Sequence, residues 1–491
     1  MKKSIKFFCL LFISLIGFQS CEDLDDTLYV PAKIQIHNFI WNGLNQYYLW
    51  QEDVPELSDS RFADQGQLNA FLESKGTPEN LFTSLLNKPI SNYPAGVAVD
   101  RFSMLVSDYT YLENLFQGVT KNNGVDYSLK YKSGSTTEIF GWVRYIIPGS
   151  DAATKNIQRG AIFYAVDGIP LTISNYRSLL QSENYTLNLA NYDNGAITPN
   201  GLSVNLTKTQ LTENPVLQSQ VLQVGNHRVA YLVYNGFTAN FDTQLNTAFG
   251  DFIAQGATHL VLDLRYNSGG SVESATRLAS MITGQFNGQL FSKERWNNKI
   301  QNYYETNRPD QLVNNFKSTL DKGIAINSMR LSKVYVLTTK STASASELVI
   351  NGLKPYINVI QIGDVTTGKN EASTTLYDSR NFGSNGRNPN HKYAIQPLVL
   401  KMANKDGFGD YQNGLAPTIT LKEDLGNLLP LGDPNELLLE AALNHISSNG
   451  RSAYRKAATT EKDFTDAKNL QPFGAEMYLK ETPSDFNNAI K

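Results

Sequence analysis

Cysteine is almost missing from this chain. Of 491 residues only Cys9 and Cys21 are cysteine, and both precede residue 22. The body of the protein can therefore hold neither a disulfide framework nor a cysteine-built metal site. Histidine is scarce as well: His37, His227, His259, His391 and His445 are scattered with no i,i+4 pair, so neither a histidine metal centre nor any other cofactor is expected. Charged residues make up 18%, below the usual share of roughly a quarter. Net charge is −3, and Lys2, Lys3 and Lys6 carry the basic excess at the start; from residue 21 onward 40 basic residues face 46 acidic ones. With no basic cluster, a nucleic-acid partner is excluded. The apolar run Phe7–Phe18 is 12 residues long, short of the roughly 20 a membrane-spanning helix needs.

What is present is ample core material. The chain is 41% hydrophobic and 11% aromatic, which excludes a mostly disordered polymer, and its length suits two to four domains. Residues 1–20 read as a signal peptide, a basic start followed by a short apolar stretch. Phe18-Gln19-Ser20-Cys21 resembles a bacterial lipobox, with Phe18 where leucine is more usual, and this implies lipidation at Cys21. Residues 21–30 open with Glu22-Asp23-Leu24-Asp25-Asp26, an acidic tether. It resembles the stretch after the cysteine in surface-exported lipoproteins of Bacteroidetes-type bacteria, and it equally suits a solvated linker.

Residues 31–95 read as a helical module. Ile36, Phe39, Ile40, Leu44 and Tyr47 recur at helical spacing, and Leu81, Phe82 and Leu85 form a second apolar face after Thr77-Pro78. The aromatic group Trp41, Tyr47, Tyr48 and Trp50 reads as core packing. Residues 118–209 change to short strands at Tyr127–Tyr131, Phe140–Ile146, Thr186–Asn191 and Leu202–Leu206. Between them lie Pro148-Gly149-Ser150, Arg159-Gly160 and Asp167-Gly168, in an order that resembles a PDZ domain of bacterial protease type, which implies peptide binding by strand addition.

From residue 210 to 447 the pattern is α/β. Strands are expected at Val229–Val233, His259–Leu264, Lys333–Thr338 and Val359–Ile362, and helices at Phe241–Gln255 and 346–356. A last helix is expected from Asp433-Pro434-Asn435-Glu436, with Asp433 as cap and Pro434 at the first position. Residues 448–491 form a polar, weakly patterned tail, expected to be loosely held.

Two loops could carry chemistry. Leu262-Asp263-Leu264-Arg265-Tyr266-Asn267-Ser268-Gly269-Gly270 follows a buried strand, and its glycines allow close backbone approach with amides directed at an anion. Ser341-Thr342-Ala343-Ser344-Ala345-Ser346-Glu347 lies between a strand and a helix, where free amides and the helix dipole favour a developing oxyanion. Each loop alone also fits a structural role, a turn in the first case and an S-x-x-E capping box in the second.

Together with Asp364-Val365-Thr366-Thr367-Gly368-Lys369, they resemble the S41 serine peptidases, the C-terminal processing or tail-specific proteases. Lys369 stands 25 residues after Ser344, the separation of that family's motif. The resemblance implies a multi-domain α/β protein: a helical module, a PDZ-like β-rich domain and a ClpP/crotonase-like catalytic core. It implies Ser344 as nucleophile and Lys369 as general base. The backbone amides of Ala345 and of Gly269 or Gly270 would form the oxyanion hole. A serine hydroxyl needs a neighbouring base, neither loop contains histidine, and a buried lysine can serve in a Ser-Lys dyad. The family's glutamine four residues after the lysine is replaced by Ser373, which inherits the orienting role by position, and Asn370 stands where glycine often follows the lysine.

The expected protein is a serine endopeptidase of the bacterial cell envelope. It would be lipid-anchored to a membrane, either periplasmic or surface-exposed, and act on protein or peptide substrates. The alternative is a non-catalytic peptide- or ligand-binding lipoprotein on the same scaffold.

Overall fold

The computed structural model describes residues 29–448, 461–471 and 473–482. The signal segment, Cys21 and the acidic tether lie outside the described residues. Three helices, Gln35–Tyr47, Gln65–Ser74 and Pro78–Ser84, build the N-terminal module. Asp64 and Thr77 cap the second and third through their side chains, and Pro78 takes the first helical position of the third, where its missing N–H costs nothing. Tyr47 and Tyr48 are buried, and the Tyr48 hydroxyl donates to Asp100 at 2.7 Å. These aromatics are core.

A β-rich unit follows. Its strands lie in the spatial order Val125–Tyr131, Ile139–Ile146, Ile162–Val166, Asn184–Asp193 and Ala196–Thr207, all antiparallel. Asp167 and Gly168, at φ 50° and 78°, turn the chain from Ile162–Val166 into the short strand Ile169–Pro170. Two consecutive positive φ values are what a tight type I′ hairpin demands, and Asp-Gly satisfies them. The helix Tyr176–Gln181 packs Tyr176 and Leu180 into the same core as Val125, Tyr127 and Leu129.

The catalytic-core sheet has six strands in chain order: Val216–Val224, His227–Tyr234, His259–Asp263, Lys333–Thr338, Asn358–Gly363 and Ile419–Thr420. Only the first pair is antiparallel. Strands buried on both faces read as nearly continuous apolar runs, and alternate residues then go to opposite sides. Ala230, Leu232, Leu260, Leu262, Val334 and Val336 meet the helices Asp242–Ala254, Val272–Thr283 and Ala345–Leu353. Val229, Tyr231, Val233, Val261, Tyr335 and Leu337 meet the helix Leu437–Ser447 on the other face.

That last helix starts later than its sequence suggests. Glu436, not Asp433, is the cap, accepting from the Leu439 amide at 3.0 Å. The same carboxylate takes two hydrogen bonds from buried Arg265, at 2.7 and 2.9 Å, so a distant guanidinium fixes the helix start.

A second sheet runs Gly270–Ser271, Met477–Tyr478, Glu371–Ser373, Leu398–Asn404, Leu290–Trp296 and Val313–Asn315. Its second strand comes from the C-terminal tail. The expectation of a loosely held tail is therefore corrected for residues 461–471 and 473–482. Met477, Tyr478 and Leu470 are buried, and the strand Asp463–Asp466 adds to the free edge of Val125–Tyr131. Paired apolar residues in a polar stretch give the tail enough buried surface to stay docked.

Candidate active site

Three loops converge because three parallel strands are neighbours. The glycine loop leaves His259–Asp263, the serine loop leaves Lys333–Thr338, and the lysine loop leaves Asn358–Gly363. Loops at the carboxyl ends of adjacent parallel strands are where α/β folds place their sites.

Ser344 sits immediately before the helix Ala345–Leu353 at φ 65° and ψ −117°, a strained conformation for a residue with a side chain. It is fully buried, and its Oγ has no hydrogen-bond partner among the described residues. Ala345 opens the helix, so its amide is among the first-turn donors that lack an intrahelical acceptor. Glu347 stands at the third position of the helix and accepts from the Ser344 amide at 2.7 Å. It also accepts from the amides of Gly368 at 2.7 Å and Lys369 at 2.9 Å, and from the Thr366 hydroxyl. One carboxylate thus joins the serine and lysine loops. Burial pushes its pKa up, against the pull of Thr366 and the three amides.

The glycine loop presses against the serine. A Cβ on Gly269 would lie 2.6 Å from Ser344 Cβ and 2.8 Å from its Oγ. The two glycines differ in what their amides do. Gly269 N–H is held by the Asn267 side chain at 2.9 Å, whereas Gly270 N–H donates to the Glu476 carbonyl at 2.5 Å. Of the two oxyanion-hole alternatives, Gly270 is the one whose donor reaches an oxygen in the cleft. The remainder of that motif is scaffold. Asp263 binds the Tyr231 hydroxyl at 2.7 Å and the Arg265 guanidinium, and Asn267 binds the Tyr234 carbonyl at 2.8 Å.

Lys369 is fully buried. Its Nζ donates to the Ala475 carbonyl and to Glu476 Oε2, each at 2.8 Å, and stands 4.2 Å from the Phe102 ring centroid. Burial pushes the Glu476 carboxyl up, against the opposing pull of the Lys369 charge. Ser373 does not take over the glutamine's position in the expected way. Its single O–H is shared between Glu476 Oε2 and the Met477 carbonyl, both at 3.1 Å, and its oxygen accepts from Gln396 at 3.0 Å. Ser373 and Lys369 meet at Glu476 rather than at each other. Glu476, Gln396 and Phe102 were not singled out by the sequence, and Glu347 only as a helix cap; the only signal for Glu476 was the apolar pair Met477-Tyr478 after it.

A cavity of about 240 Å³ opens beside the glycine loop, between the β-rich unit and the core. Phe116, Phe237, Tyr478, Leu180 and Tyr185 line it along with Gly269 and Gly270.

A buried serine at the carboxyl ends of parallel strands, with a glycine loop against it and a buried lysine on the adjoining loop, is in keeping with serine-type peptidases that work without histidine. The chain belongs to peptidase family S41. The model of peptidase family S41 matches residues 228–420, and that of the S41 N-terminal domain matches 35–104, together more than half of the chain. A Bacteroides fragilis crystal structure assigned to the S41 proteases is 27% identical, with a TM-score of 0.64 over 84% of this chain and 98% of that one. The chloroplastic C-terminal processing peptidase of Tetradesmus obliquus is 25% identical over 266 residues, 52% of each chain. The carboxyl-terminal-processing protease of Picosynechococcus is 27% identical over 167 residues, 34% of this chain and 35% of that one. The chain spans about half or less of the length of these two curated relatives.

Proposed function

We propose that the chain is a serine endopeptidase of the cell envelope, with Ser344 as nucleophile and Lys369 as general base. The observation that carries this reading is the state of Ser344: buried, strained, unpaired, and locked by Glu347 to the loop that bears Lys369. In the reaction, Ser344 Oγ bonds to the scissile carbonyl carbon as Lys369 takes the hydroxyl proton. The amides of Gly270 and Ala345 hold the oxyanion, and the amine leaves with the proton from Lys369. Water then cleaves the acyl-enzyme, releasing the carboxyl product and restoring Ser344. The β-rich unit supplies the peptide-docking edge of a PDZ-like domain, and a lipid on Cys21 holds the protein at a membrane.

The test is labelling by a fluorophosphonate probe, together with hydrolysis of denatured casein. Wild type should acquire one label, at Ser344. Ser344→Ala and Lys369→Ala should lose both labelling and hydrolysis while keeping the folded circular dichroism spectrum. Casein hydrolysis by Ser344→Ala at the wild-type rate would overturn the assignment, and a wild type inert to the probe under all conditions would favour the binding lipoprotein.

A further inference from the structure

The C-terminal tail runs through two places where a peptide would be expected to bind. First, Asp463–Asp466 pairs antiparallel with Val125–Tyr131, the otherwise free edge of the β-rich unit. The Tyr131 amide donates to the Lys462 carbonyl at 3.0 Å, and the Ala467 amide to the Tyr127 carbonyl at 2.9 Å. Phe464 packs edge-on against Tyr176 of the neighbouring helix at 5.0 Å and against Tyr131 at 5.3 Å. An extended segment added to a sheet edge, with a side chain seated on the flanking helix, is how peptides are recognised by β-augmentation.

Second, the same tail crosses the site of Ser344. Met477–Tyr478 lies as a strand between Gly270–Ser271 and Ser373. The Glu476 carbonyl accepts from Gly270 N–H, the donor that a scissile carbonyl would need. That carbonyl oxygen and Ser344 Oγ both lie within 2.8 Å of the point where a Cβ on Gly269 would sit, so they are close neighbours. The Glu476 carboxylate is ion-paired with Lys369 at 2.8 Å. The Lys369 Nζ is thus directed at the tail, at the Ala475 carbonyl and the Glu476 carboxylate, rather than at Ser344. Side chains between the two places pin the tail: buried Asp466 accepts from Ser341 at 2.7 Å, and the Lys468 ammonium donates to the Asn235 and Tyr266 carbonyls, each at 2.7 Å.

We propose that residues 462–471 and 473–479 are an intramolecular peptide ligand that fills both the edge groove of the β-rich unit and the catalytic cleft. With this ligand docked the enzyme rests: Gly270 is occupied by the Glu476 carbonyl and Lys369 by its carboxylate. Substrate must displace the tail to be cut, so the occupied groove marks the path of an extended polypeptide substrate. The inference rests on Ser344 and Lys369 being the catalytic pair.

The test uses the full chain with Cys9→Ser and Cys21→Ser, and reads the rate of fluorophosphonate labelling at Ser344. Glu476→Gln removes the carboxylate charge that faces Lys369 and leaves the shape, and should label roughly tenfold faster than its parent. A second variant closes the tail by choice. The hydroxyls of Thr374 and Thr482 are 3.1 Å apart, so Thr374→Cys with Thr482→Cys can form a disulfide across the groove. Its oxidised form should label slowly and cut casein poorly, and dithiothreitol should restore both. Slower labelling by Glu476→Gln would make Glu476 a positioning residue for Lys369 and overturn the proposal. Equal labelling of oxidised and reduced tether would overturn it too. Failure of every form to label, tethered or not, would instead defeat the peptidase reading itself.

Discussion

The backbone amides of Ser344 and Lys369 donate to the same oxygen, Glu347 Oε2, at 2.7 and 2.9 Å. A buried carboxylate with this many donors acts as a rivet between two loops that are separate in sequence, and it fixes the relative height of nucleophile and base.

Glu347→Ala strips the acceptor from three amides and the Thr366 hydroxyl at once. Each buried donor left unpaired costs about 1–3 kcal/mol, so urea unfolding should show a loss of about 3 kcal/mol or more, and labelling at Ser344 should fall by about 100-fold. Glu347→Gln keeps one acceptor oxygen and should lose less of both. A Glu347→Ala protein as stable and as reactive as wild type would refute the rivet.

Gly269→Ala tests the closeness of the glycine loop. At φ 115° the added Cβ would lie 2.5 Å from the Glu476 carbonyl oxygen and 2.6 Å from Ser344 Cβ, with backbone on one side and no room to yield. Probe labelling should be lost, by about 100-fold or more. Gly288→Ala is the control, since its φ of 78° is also positive but its Cβ would meet open space; it should lower stability by about 1 kcal/mol and leave labelling unchanged.

Arg144 is buried between Asp126 and Asp466, and with the latter it ties the tail to the β-rich unit at 3.3 Å. Arg144→Met leaves two buried carboxylates uncompensated, which should cost about 3–5 kcal/mol. Hydrogen exchange should quicken at residues 463–467 before it does in the core sheet. Unchanged exchange there would show that the tail is held by other contacts alone.

Acid should act at the joint between the β-rich unit and the core. Burial raises the Glu423 carboxyl, but Arg159 and Arg265 outweigh it and bring the group to about 2. A depressed folded-state value means that Glu423 contributes its stability above its unfolded value of 4.5 and loses it as the pH falls toward 2. The change is on the order of 3 kcal/mol. Urea midpoints measured across that window should drop steeply for wild type and much less for Glu423→Gln. Parallel curves for the two proteins would dismiss this ion cluster as the acid-sensitive element.

Elements whose cause is local could be read from sequence. Val229–Val233 and Lys333–Thr338 are apolar on both faces because both faces are covered, and their bounds differ from the observed strands by two residues or fewer. The serine loop announced itself by S-x-x-E, a short-range hydrogen bond. Other features depended on partners far away in sequence. The last helix begins at Leu437 because Glu436 answers Arg265, 171 residues earlier. Glu476 meets Lys369 across 107 residues, and no periodicity in a polar tail signals such a pairing. Ser373 was expected to orient Lys369 directly, but both side chains meet a carboxylate that comes from that same tail.

The walls around Lys369 come from opposite ends of the chain, the Phe102 ring on one side and Glu476 on the other. Translation at roughly 5–20 residues per second delivers Glu476 on the order of ten seconds after Lys369. The ring is already made when the lysine emerges; its counter-ion is not. A ribosome that stops before residue 475 therefore releases a polypeptide whose lysine never acquires that counter-ion, so the order of synthesis makes the restraint the last part to be fitted and the first that a truncated message omits.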